Sequence, residues 1–220
     1  MVFYLGKLLL SGGGDAIQSS EINAFFASIN NKAKPLLYIP LAGDPENRSY
    51  ESCLNYVKKV FNPLGIDRIT MWTELDNKTL EQLLNFSAVY LSGGSTVKLL
   101  SHFGVHFRRI LKEYFVNGGI IYGQSAGAIV LGKTINVFDQ AENDLDGLNI
   151  VSDYSLSCHY QKEHHSLISR YVQRNNQKVI ALPEGTALYQ TREEMFQIVG
   201  NDPVFVFDQN GKQELSHVAK

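Results

Sequence analysis

The chain has 220 residues, 20 Lys and Arg against 22 Asp and Glu for a net charge of -2, and 44% hydrophobic residues. Such a chain can bury a full core, so residues 1–220 are expected to form one domain. It offers neither a basic stripe for nucleic acid nor an acidic tail, which leaves a small-molecule partner as the expectation. The cysteines Cys53 and Cys158 fit neither a zinc spacing nor a disulfide framework and read as free thiols in a reducing compartment. The longest early apolar stretch is broken by Gly6 and Lys7, lacks a basic leader and is too short to span a membrane. A cytoplasmic protein without membrane partner or cofactor is expected, as monomer or homodimer.

Along the first 130 residues, short apolar runs alternate with helical spacings. KLLLSGGG (7–14) reads as a strand closing in glycines, and Ile22, Phe25, Phe26 and Ile29 then recur at a helical period. LLYIPLAG (36–43) is the next strand, followed by a helix over 49–61 with Ser49 as N-cap. RITMWT (68–73) and AVYLSGGS (88–95) are strands with a short helix near 79–85 between them. Phe107, Ile110, Leu111, Tyr114 and Phe115 form a helical stripe that stops at Asn117-Gly118-Gly119, and strand IIYG follows. The alternation predicts a mainly parallel sheet covered on both faces, with ligands gathering at the carboxyl ends of its strands. Ser11–Gly14, Ser92–Ser95 and Gly123–Gly127 lie at such ends and should share one edge. A helix over 164–175, several short strands and an Asn210-Gly211 hairpin signal suggest that the C-terminal third extends the same sheet in antiparallel fashion.

Within IIYGQSAGAIVLG (120–132), a Gly-x-Ser-x-Gly stands between apolar runs, as at a sharp strand-to-helix turn. Ser125 is there either an exposed nucleophile or only a helix cap. A serine nucleophile needs a base and a carboxylate to orient that base. Of His102, His106, His159, His164, His165 and His217, His159 has the strand-like setting, in YSLSCHY. His164 and His165 follow it closely, but no acidic residue completes a zinc spacing, and no metal is expected. Glu184, on the turn of ALPEGTALY, is the candidate carboxylate, and Asp139 is its rival.

GGGD (12–15), LSGGSTVKLL (91–100), YGQSAGAIVLG (122–132), DGLNIV (146–151), CHY (158–160) and ALPEGTAL (181–188) together resemble the serine peptidase family of dipeptidase E and cyanophycinase. The resemblance spans nearly the whole chain. It implies an α/β/α sandwich of the flavodoxin-like or class I glutamine amidotransferase-like kind. It also implies Ser125 as nucleophile, His159 as general base and Glu184 as the third member, with an aspartate near Asp139 assigned that role in some descriptions. Backbone N–H groups around Gly94 and Ala126 are implied as the oxyanion hole. The segment after His159 is shorter than in aspartyl-specific dipeptidase E, and Arg170 and Arg174 are its only arginines; Arg170 is the candidate substrate-binding residue. A serine peptidase acting on short peptides, an exopeptidase or dipeptidase, is the expectation. An α/β-hydrolase-type esterase and a non-catalytic binding module in which Ser125 caps a helix are the alternatives.

Overall fold

The computed structural model describes residues 6–137, 145–151, 153–192 and 195–215. In chain order the first elements are β1 (Lys7–Ser11), α1 (Ser20–Ile29), β2 (Leu36–Ile39), α2 (Tyr50–Phe61), β3 (Ile69–Met71), α3 (Leu80–Leu84) and β4 (Ala88–Leu91). Then come α4 (Thr96–His102), α5 (Val105–Val116), β5 (Ile120–Gln124), α6 (Ala126–Ile129), β6 (Tyr154–Cys158) and α7 (His165–Asn175). The chain closes with β7 (Lys178–Leu182), β8 (Ala187–Arg192), β9 (Met195–Val199), β10 (Phe205–Asp208) and β11 (Gly211–Glu214).

A 7-stranded sheet runs in the order β3-β2-β4-β5-β1-β8-β9. Its first five strands pair in parallel, and β8 and β9 add an antiparallel edge. The apolar runs of β1, β2 and β4 contain no polar-facing alternation because both faces are covered. Leu8 and Leu10 point to the face packed by α4 and α5, and Leu9 to the face packed by α1 and α2. The helix stripes supply the matching surfaces: Ile22 and Phe26 from α1, Val57 and Phe61 from α2, and Phe107, Ile110 and Leu111 from α5. Leu91 is fully buried, and its truncation to alanine would cost about 2–5 kcal/mol.

The C-terminal third differs from the expectation in one respect. Among the described residues, only β8 and β9 extend the main sheet; β6, β7, β10 and β11 form a separate 4-stranded sheet in the order β11-β10-β7-β6. Within it β6 and β7 pair in parallel, joined through α7, and β10 pairs antiparallel with both β7 and β11. Leu156, Ile180 and Leu182 turn one face of this sheet toward the main core. Val179, Ala181 and Phe207 turn the other toward Ile168 and Val172 of α7. A strand's own sequence does not show which strand it pairs with, and β6 is buried on both faces despite its alternating serines, so sequence pattern cannot assign two sheets.

Helix starts follow local chemistry. Ser49 accepts the Ser52 N–H at 3.2 Å, as expected of an N-cap. Thr79 and Gln82 make a reciprocal capping box at α3. Ser95 caps α4, whose residues form part of the LSGGSTVKLL motif, and His102 ends this helix three residues before α5 begins. Among the described residues, no helix is long and apolar enough to cross a membrane.

Candidate active site

Ser125 is the single residue between β5 and α6, with φ 49° and ψ -109°. Its backbone is tied on both sides: its N–H donates to Ser11 O at 2.9 Å, and its carbonyl accepts from Ala128 and Ile129 at 2.8 and 2.9 Å. The turn can press against β4 only because residue 127 is glycine; a Cβ there would stand 2.3 Å from Leu91 O. Although Ser125 occupies the N-cap position of α6, its side chain makes no capping bond. Its Oγ instead lies 2.7 Å from His159 Nε2.

His159 follows β6 directly, with φ 52°. Its N–H donates to Gly12 O at 2.9 Å, which bridges the end of the small sheet to the end of β1. The ring packs over Gly13, where a Cβ would lie 2.4 Å from its Cε1. Among the described residues, five non-glycine residues have positive φ, and three of them are Asn or Asp. Those types tolerate the left-handed region. His159 is the fourth and histidine shares that tolerance, so the unfavourable backbone is that of Ser125, whose ψ of -109° takes it out of the left-handed region.

His159 Nδ1 lies 2.7 Å from Glu184 Oε1. Glu184 sits on the turn after β7, and that turn is fastened to the β1 loop by Gly185 N–H donating to Gly13 O at 3.0 Å. Gln18 Nε2 donates to the other carboxylate oxygen, Oε2, at 3.1 Å. The hydrogen bond with His159, and then that from Gln18, hold the Glu184 carboxyl below its ordinary range. Both side chains remain accessible, 48% for His159 and 45% for Glu184, so solvent screens this pair. A serine hydroxyl, an imidazole and a carboxylate in line can move a proton from the hydroxyl to the imidazole while the carboxylate stabilises the imidazolium.

Cys158, beside His159, is no rival nucleophile. Burial pushes its thiol up to about 12, where almost none is thiolate at neutral pH. Its Sγ faces the carbonyls of Ser11 and Ser125, each at 3.6 Å.

A cavity of about 340 Å³ opens beside Ser125, lined also by His159, Gly94, Tyr38, Arg48 and Tyr56. The three glycine-rich strand ends meet at it, as the alternation of elements predicts. Gly93 lies alongside the serine; a Cβ on it would be 3.6 Å from Ser125 Cβ. Gly94 is therefore in the loop facing the serine, and Ala126 begins α6 directly after it. Burial raises the phenol of Tyr38 well above its usual value, so it faces the cavity as a neutral group. Tyr90 hydrogen-bonds Gln124 Oε1, and Gln124 Nε2 donates to Gly14 O at 3.2 Å, which fixes the floor.

Arg170 is not brought to this cavity. It is exposed on α7, behind the small sheet, where its Nε donates to Ser166 O at 3.3 Å within its own helix. The arginine at the cavity is Arg48, whose guanidinium lies 4.9 Å over the Tyr56 ring. Sequence reading missed Arg48 because it precedes a helix in an unremarkable loop. It missed Gln18 because nothing links that residue to Glu184, 166 positions away. Asp139 and His217 lie outside the described residues. His106 is engaged elsewhere, with Nε2 2.7 Å from Lys78 O. Among the described residues, no group of three or more His, Cys, Asp or Glu could hold a metal ion.

Residues 8–198 match Peptidase family S51. No curated protein sequence matches the chain at a significant level. The fold is similar to that of a peptidase from an acI-B1 Actinobacterium, with a TM-score of 0.77 at 20% identity over 99% of this chain and 96% of that one. It is also similar to a protein assigned as peptidase E from Listeria monocytogenes EGD-e, with a TM-score of 0.67 at 18% identity over 90% of this chain and 100% of that one. The structures share the α/β architecture, and the sequence match runs from β1 into β9 through every segment that forms the site: the chain belongs to peptidase family S51.

Proposed function

We propose that the protein is a serine peptidase that hydrolyses short peptides, as an exopeptidase or dipeptidase, with Ser125, His159 and Glu184 as its triad. The observation that carries this reading is the direction of the Ser125 hydroxyl. It stands at a helix start without capping it and is hydrogen-bonded to His159, which is hydrogen-bonded in turn to Glu184. A serine placed only for turn formation would direct its oxygen to the N–H groups of α6.

In the proposed cycle, Ser125 Oγ attacks the substrate carbonyl carbon as His159 Nε2 takes its proton. Glu184 holds the Nδ1 proton and stabilises the imidazolium. Backbone N–H groups of Gly94 and Ala126 receive the carbonyl oxygen as it becomes negative. Because α6 is only four residues long, its macrodipole is small, and these individual donors carry the stabilisation, about 3 to 4 kcal/mol each. His159 then gives its proton to the leaving amine, C–N cleavage leaves the acyl-enzyme, and water repeats the sequence to free the acid.

The small cavity, near 340 Å³, favours a short substrate, with its side chain entering toward Tyr38, Arg48 and Tyr56. The free thiols Cys53 and Cys158 agree with a reducing, cytoplasmic setting. A panel of dipeptides with free N-termini, their N-acetylated forms and simple esters tests the reading. Release of amino acids from the free dipeptides, abolished by Ser125→Ala, is expected. Turnover of esters but no peptide would point to an esterase, and turnover of none to a binding module.

A further inference from the structure

Glu184 ends a flexible side chain that is almost half exposed, and a carboxylate so placed would ordinarily sample several rotamers in water. Among the described residues, one hydrogen bond besides that with His159 restrains it, from the Gln18 amide to Oε2. Gln18 is itself fixed. Its Oε1 accepts the Asp15 N–H at 2.8 Å, which leaves Nε2 as the end that faces Glu184. Asp15 Oδ1 in turn accepts the N–H groups of Ile17 and Gln18 at 2.8 and 2.9 Å, which rigidifies the turn that carries the glutamine. The same loop touches the glutamate's own turn: a Cβ on Gly185 would stand 3.1 Å from Gln18 O.

We infer that Gln18 is a positioning residue of the proposed triad, which holds the Glu184 carboxylate so that Oε1 stays on His159 Nδ1. This rests on the Ser-His-Glu reading of the site. Gln18 is not among the residues lining the cavity, so its effect reaches the reaction only through Glu184. A donor is required at this position, because an acceptor would repel the carboxylate it faces. Glutamine meets both needs of the loop, with one end accepting from Asp15 and the other donating to Glu184.

The test is the rate at which a fluorophosphonate modifies Ser125, followed by mass spectrometry from pH 5 to 9 in wild type, Gln18→Ala and Gln18→Glu. Because Gln18 is exposed, the melting temperatures of the three proteins should agree closely. Gln18→Ala should react about tenfold more slowly, the order expected for loss of a hydrogen bond to a charged group. Gln18→Glu adds a carboxyl facing Glu184, and two such groups cannot both ionise easily, so one pKa of the pair is raised. Below that raised value the protonated carboxyl donates as the amide did; above it the two carboxylates repel and Glu184 leaves His159. The rate of Gln18→Glu relative to wild type should therefore fall as pH rises, a trend that loss of packing alone would not give.

A Gln18→Ala rate equal to wild type, or a Gln18→Glu ratio flat across the pH range, overturns the inference and leaves the triad reading standing. Absence of a Ser125 adduct in wild type overturns both.

Discussion

Ser125 and the His159–Glu184 pair meet across 2.7 Å but are held by different means. Ser125 is fixed by its backbone, with hydrogen bonds to Ser11, Ala128 and Ile129, and by a glycine that lets its turn touch β4. His159 and Glu184 arrive from the ends of β6 and β7 in the second sheet and stand about half in solvent. A few bonds to the Gly12–Gly13 loop and the Gln18 amide hold that side in place. The nucleophile is thus locked by the fold, whereas its partners depend on local contacts that single substitutions can remove without disturbing the core.

Four substitutions separate the two sides. Ser125→Ala should lower peptide turnover at least about 10³-fold while the melting temperature stays unchanged, because the serine side chain makes no capping bond; hydrolysis and thermal melting measure the two effects. Glu184→Gln should cost about 10²- to 10⁴-fold in kcat, again with the fold intact. Its pH dependence has a defined sign. The Glu184 carboxyl is held below its ordinary range, so its contribution is present above the unfolded-state value and is lost only as pH falls through the lower folded-state one. Glu184 should therefore stay ionised through the ordinary carboxylate range, and the acid limb of kcat/KM should have a slope of one; a slope of two would show the carboxylate titrating together with a second group.

Gly127→Ala attacks the other side. With its Cβ 2.3 Å from a backbone oxygen, it should destabilise the protein by about 2 kcal/mol or more, read as a shift of the denaturant midpoint. Arg48→Ala should have the smallest effect, a several-fold rise in KM with little change in kcat, since Arg48 lines the cavity but contacts none of the three proposed triad members.

Legibility in the sequence followed the same division. The parallel half was readable because each element carries its own signal: buried strands read as unbroken apolar runs, Ser49 caps α2, and the α5 stripe is buried residue for residue. The Ser125 turn was readable as a strand, a glycine-flanked serine and a helix in immediate succession. His159 and Glu184 were readable chiefly through resemblance, since the apolar–polar alternation of β6 does not mark its exposed face: Ser155 and Ser157 are as buried as Leu156 and Cys158. The parallel pairing of β6 with β7, which delivers both residues to the serine, depends on contacts distant in sequence. The same distance hid the link from Gln18 to Glu184. The resemblance puts a substrate-binding arginine in the segment after His159, but α7 carries Arg170 behind the small sheet, because helix position in sequence does not show which face of the sheet the helix covers.

The central claim is that the Ser125 hydroxyl is activated by His159. Treatment of wild type and His159→Ala with a fluorophosphonate, followed by peptide mapping, tests it most directly. The account predicts one adduct, on Ser125, in wild type and its near absence in His159→Ala. An unmodified Ser125 in wild type, or equal modification in both proteins, would contradict it.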